Sequence, residues 1–145
     1  MDTKPTSPAL SPFMLIFRDA SSETYKGLSP DQRQDLFTRW YAWYDSLAAA
    51  GKLQQGHPLA REGRLVSARD GRVVDGPFAE GKEVVGGYFF LTVANLEEAV
   101  AIAKDCPTLQ LGLDLTVEVR AVADLCPVLG SKSYAQTAPT VAAGA

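Results

Sequence analysis

His57 is the only histidine in this chain of 145 residues, so any histidine-based acid or base chemistry must use it. Asp75 is its candidate carboxylate partner, because a carboxylate bonded to an imidazole fixes the tautomer and raises the imidazole pKa. Each residue also has a purely structural reading. A single histidine often serves as an ordinary surface or packing residue, and an Asp before Gly76-Pro77 accepts backbone amides in an Asx-type turn. Just beyond, Glu80, Lys82 and Glu83 form a charge cluster that could orient a small polar ligand or simply face water. Arg18 and Arg61 offer planar forks suited to a carboxylate or phosphate. Trp40, Tyr44, Tyr88 and Phe78 supply the aromatic surface a small-molecule pocket would need. The chain has no Walker loop, GxGxxG or nucleophile elbow. Its two cysteines, Cys106 and Cys126, lie apart without a CxxC or histidine-rich companion and read as reduced structural thiols. Neither a metal nor a cofactor is predicted.

These residues need a scaffold, and the chain length fits one domain able to bury a core unaided. The hydrophobic fraction of 46% and charged fraction of 21% are those of an ordinary globular chain. A net charge of −3 argues against direct nucleic-acid binding, which needs a basic face. No apolar run is long enough to span a bilayer, and the polar, Pro-containing start lacks a secretory layout, so the cytoplasm is the expected location.

The elements follow from pattern and punctuation. Residues 1–11 read as a flexible segment, and residues 13–17 as a short first strand followed by a polar loop from Arg18-Asp19 to Leu28. Ser29-Pro30-Asp31-Gln32 is a capping box opening a helix that Gly51 stops. Leu36, Trp40, Trp43 and Leu47 form its apolar stripe, widened by Phe37, Tyr41 and Tyr44. Strict alternation through residues 52–59 places Leu53, Gln55, His57 and Leu59 on one face of a second strand. Asp70-Gly71 predicts a hairpin pairing Arg69 with Arg72, Ala68 with Val73 and Val66 with Asp75. The run 84–93 reads as a strand apolar on both faces, with Gly86-Gly87 marking a bulge or close approach. Asn95, with Glu98 at the reciprocal position, caps a second helix striped by Leu96, Ala99, Val100 and Ala103 and closed by Pro107. A last strand over 113–122 alternates, with Leu113, Leu115, Val117 and Val119 on its dry side, before a tail over 127–145 that reads as mobile or as a short arm across a partner subunit.

The order β-α-β-β-α-β, with the hairpin inserted, is that of a ferredoxin-like α+β domain with an antiparallel sheet. Its helices cover one sheet face, so the other needs a partner, and a homodimer packed sheet to sheet supplies one.

The segment Asp75-Gly76-Pro77-Phe78-Ala79-Glu80, with Lys82-Glu83 and Gly86-Gly87-Tyr88, resembles the signature of the DGPF branch of the YCII-related family. The resemblance covers residues 13–122 and implies a ferredoxin-like domain that dimerises into an α/β barrel. That family has a histidine on the first helix, eleven residues before the helix-ending glycine, as half of a His/Asp pair. Counted back from Gly51, that position here is Trp40, which cannot exchange protons. The family's Gly-Pro after the second strand is here Gly56-His57-Pro58, so His57 could serve the pocket from the strand; loss of the pair is the simpler account. Branch relatives are associated with extracytoplasmic-function sigma factors, which implies a regulatory protein partner. Two functions therefore stand: a domain binding a small molecule between helix and sheet in a regulatory setting, or a cofactor-free enzyme using His57 and Asp75 on a small organic acid or lactone.

Overall fold

Four antiparallel strands form the central sheet in the order β2, β5, β1, β6. In this computed structural model, residues 9–19, 23–76 and 84–130 are described. The strands are β1 (Ser11–Asp19), β2 (Leu53–Pro58), β5 (Val84–Val93) and β6 (Leu115–Ala121). A separate two-stranded hairpin, β3 (Leu65–Arg69) and β4 (Arg72–Gly76), lies between β2 and β5 in sequence. The helices are α1 (Pro30–Ala49), α2 (Leu96–Lys104) and the single turn α3 (Pro107–Gln110). Connectivity and strand order together are those of a ferredoxin-like α+β fold.

Local chemistry sets the boundaries of α1. The Ser29 hydroxyl accepts from the Gln32 amide, and the Gln32 side chain accepts from the Ser29 amide in return. At the other end Gly51 takes φ +74°, a left-handed conformation that costs glycine little. The hairpin turn is equally local: Asp70 and Gly71 both have positive φ, as a type I′ turn requires, and the pairing is the one the sequence predicts.

α1 and α2 cover one face of the sheet. Trp43 and Leu47 from α1 and Ala99, Ile102 and Ala103 from α2 bury Phe13, Leu15, Phe17, Phe89, Leu91 and Val93. Phe17 meets Trp40, Trp43 and Phe89 edge-on at centroid separations of 5.1, 6.1 and 5.0 Å. Such pairs each add about 0.5–1.5 kcal/mol beyond the area they bury, so this cluster helps to fix α1 on the sheet.

Several sequence expectations are corrected. β1 begins at Ser11 and runs through Arg18 and Asp19, which were expected in a loop; flanked by β5 and β6, this strand continues as far as its neighbours offer partners. β6 starts at Leu115 rather than Leu113, since Leu113 bonds back to the Thr108 carbonyl. In α2, Ile102 is buried and Leu96 is exposed, so the apolar stripe is rotated from the expected one. Asn95 caps α2 by accepting from the Glu98 amide, while the Glu98 carboxylate lies 3.7 Å from Lys52 Nζ. Pro107 opens α3 rather than merely closing α2.

The largest correction concerns β2. Leu53 pairs with Leu91 but Gln55 pairs with Phe90, so β2 carries one extra residue at that point. This bulge reverses the alternation. Gly56 then lies opposite Phe89 on the helix side, and His57 lies opposite Tyr88 on the other side, away from the face of Leu53. A second bulge, in β5, falls at Gly86: Phe17 pairs with Gly87 and Arg18 with Val85.

Candidate ligand cavity

The two bulges and α1 border an open cavity of about 590 Å³ between helix and sheet edge. Its helical wall is Phe37, Trp40, Tyr41 and Tyr44, residues that share one face of α1. Phe89 and the segment Gly56–Pro58 form the sheet wall, and Tyr25 and Gly86 close one end. A Cβ on Gly56 would stand 2.5 Å from Phe89 Cδ1, so the missing side chain lets the Phe89 ring lie over the strand.

Behind the cavity wall Tyr25 joins Asp19 and Thr108 in a polar cluster. Trp40 Nε1 donates to Thr108 Oγ1 at 3.0 Å, and Thr108 is fully buried. The Tyr25 hydroxyl is 3.3 Å from the same oxygen and donates to Asp19 Oδ1 at 3.5 Å, the outer limit of a hydrogen bond. Since an indole N–H can only donate, and Tyr25 donates to the carboxylate, the chain runs from Trp40 through Thr108 and Tyr25 to Asp19, with Thr108 giving its proton to Tyr25. Asp19 Oδ2 occupies the space a side chain at Gly86 would need, 2.5 Å from an ideal Cβ there, so the carboxylate lies directly against Gly86, a residue of the cavity lining.

Burial pushes the Asp19 carboxyl above its ordinary value, opposed by the Tyr25 hydrogen bond and by the nearby positive charge of Arg61. Burial likewise raises Tyr25, with the Thr108 hydrogen bond opposing and the Asp19 charge reinforcing. Desolvation outweighs stabilisation of the carboxylate, the condition that turns a carboxylate into a useful base. Behind this cluster Cys106 is buried, its thiol pushed up to about 11, so it stays protonated at neutral pH.

The sequence candidates divide between several places. Trp40 and Tyr44 line the cavity. His57 borders it through β2, while its ring lies 5.9 Å from that of Tyr88 on the opposite sheet face. Asp75 sits on the exposed hairpin, its Oδ2 3.2 Å from Arg64 Nη1, and among the described residues no hydrogen bond joins it to His57. Arg18 points to the face away from the cavity, 3.5 Å from Glu118. Phe78, Glu80, Lys82 and Glu83 lie outside the described residues. Among the described residues no three His, Cys, Asp or Glu side chains group as metal ligands, and no helix is long and apolar enough to cross a membrane.

Asp19, Tyr25 and Thr108 were not singled out by sequence reasoning. They come from a strand end, a turn and a one-turn helix, and only the packing of α3 against α1, with the Tyr25 hydroxyl between Thr108 and Asp19, brings them together. The presence of Asp beside a strand's carboxyl end was the sole local signal.

Residues 12–125 match the YCII-related domain. The chain belongs to the YCII-related family. No curated protein matches it. Among solved structures it is similar to the 5-chloro-2-hydroxyhydroquinone dehydrochlorinase TftG from Burkholderia phenoliruptrix AC1100 in complex with 2,5-dihydroxybenzoquinone. That similarity has 19% identity over 74% of this chain and 90% of that one, with a TM-score of 0.43. Within this YCII-related chain, the indole of Trp40 occupies the position where the family resemblance expects a histidine, and its N–H is committed to Thr108.

Proposed function

We propose that this YCII-related protein binds a small, flat, largely apolar molecule carrying a hydroxyl or similar donor, and that Asp19 accepts the donor's proton. The observation that carries this is a half-buried carboxylate set against Gly86 and bonded to Tyr25, two residues that line an aromatic cavity. Aromatic walls favour a ring by stacking and edge contacts, and the carboxylate selects a donor over another acceptor. Removal of that proton activates the ring or its substituent, so the same geometry supports cofactor-free general-base chemistry. The test is titration with simple phenols, read by quenching of tryptophan fluorescence, on the native protein and on Asp19→Asn. Saturable quenching that weakens in Asp19→Asn is expected. No saturable quenching, or equal affinity in both proteins, would overturn the reading.

The reading includes a homodimer. Met14, Ile16, Tyr88 and Phe90 lie on the sheet face that no helix covers and stay only half-buried. A second sheet packed there would bury them. Sedimentation of the native protein and of Phe90→Lys tests this, with a dimer that dissociates in the variant as the expected result.

A further inference from the structure

A second, shallower cavity of about 220 Å³ adjoins the first and shares Tyr25, Phe37 and Trp40 with it. Leu28 and Leu36 complete its apolar floor, and Arg33 stands at its side. Arg33 lies one turn before Phe37 on α1, so the residues at 33, 37, 40, 41 and 44 make one continuous strip along the helix. Among the described residues Arg33 has no ion pair and no side-chain hydrogen bond, in contrast to Arg39, Arg64 and Arg120. No acidic side chain lines the second cavity. An apolar trough that continues an aromatic cavity and ends at an unpaired guanidinium fits one occupant: a short apolar arm ending in an anion.

We infer that the ligand is an aryl compound with two polar ends, a donor-bearing ring seated toward Asp19 and an anionic arm, such as a carboxylate on a short alkyl chain, laid over Phe37 and Trp40 to Arg33. This rests on the cavity reading above and adds the ligand's second anchor. The first anchor takes a proton and the second holds a charge. Together they orient the ring, because a ligand placed the other way round would set its carboxylate against Asp19.

The probes are para-hydroxyphenylacetate, its propionate and butyrate homologues, and the primary amide of each. Titrations at low ionic strength are read by tryptophan fluorescence, which suits both cavities because Trp40 lines each. For at least one chain length the acid is expected to bind roughly three- to fivefold more tightly than its amide, the range of an exposed ion pair. The preference should shrink in high salt. Arg33→Gln should remove the acid preference while leaving amide affinity in place, and Arg33→Lys should keep part of it. Asp19→Asn should weaken acid and amide alike without changing their ratio. An acid preference absent from the native protein, or one that persists in Arg33→Gln, overturns the inference while the cavity reading stands. No saturable quenching with any probe overturns both. An Arg33→Gln protein whose sedimentation changes instead of its acid preference assigns the trough to a second copy and also overturns it.

Discussion

Trp40 Nε1 and Thr108 Oγ1, 3.0 Å apart, tie α1 to α3 through a donor and an acceptor that water does not reach on the threonine side. Thr108→Val keeps the shape but leaves the indole N–H and the Tyr25 hydroxyl without that partner. The cost of orphaning such a group is about 1–3 kcal/mol, more than the net worth of an average hydrogen bond. Urea unfolding should show the midpoint falling in Thr108→Val with an unchanged slope, while Thr108→Ser stays nearer the native value. An unchanged midpoint in Thr108→Val would mean that the network carries no stability.

Asp19→Asn should reveal its effect through pH. The folded-state pKa is raised, so native Asp19 favours folding most when it is protonated. That contribution is complete below the ordinary value of 3.8 and is lost as pH rises through the higher folded value. The stability of Asp19→Asn relative to the native protein should therefore climb over this window and level off above it. Ligand binding by the carboxylate has the opposite sign, strengthening as Asp19 ionises. A pH series of unfolding curves beside a pH series of phenol titrations separates the two: the native contribution of Asp19 to stability should fall as pH rises while phenol affinity grows, and an affinity that falls over the same window would contradict the assignment.

Gly86→Ala tests the place of the carboxylate itself. The new Cβ would meet Asp19 Oδ2 at 2.5 Å, and that oxygen is the free end of a side chain that can swing aside. Stability should change little, while phenol affinity drops as Asp19 is displaced from its place against Gly86. Full affinity in Gly86→Ala would show that Asp19 acts from elsewhere.

The sequence made α1 legible through the Ser29–Gln32 box and Gly51, and the hairpin through Asp70-Gly71, because each rests on contacts within a few residues. It also announced the break in β5, where two adjacent glycines are visible as such. The bulge in β2 had no comparable sign. Gly56 was the hint, but its meaning depends on Phe89, which is remote in sequence and fills the space above it. One residue of slip was enough to move His57 to the other face and to remove it from the face of Leu53. Trp40 shows the opposite case: its helical spacing predicted burial, yet its role as a wall and donor depends on Thr108, which no periodicity connects to it.

Gly87→Ala should be more damaging than alanine at either cavity glycine, Gly56 or Gly86. A Cβ there would stand 2.9 Å from the His57 carbonyl oxygen and 3.2 Å from Pro58 Cα, both backbone atoms of the paired strand. A side chain can rotate out of a clash, whereas a paired strand must move as a unit. Separation of β2 from β5 would stretch the bond from the Leu59 amide to the Gly86 carbonyl, now 2.9 Å, and open the cavity along Gly56–Pro58. The expected loss is about 1–3 kcal/mol, the usual cost of forcing extra volume into a packed site. Gly56→Ala, facing a Phe89 ring that can tilt, should cost less. Hydrogen exchange gives the local reading: the Leu59 amide should lose protection in Gly87→Ala and keep it in Gly86→Ala. A Gly87→Ala protein as stable as the native one, with Leu59 still protected, would mean that β2 and β5 do not pair in this register.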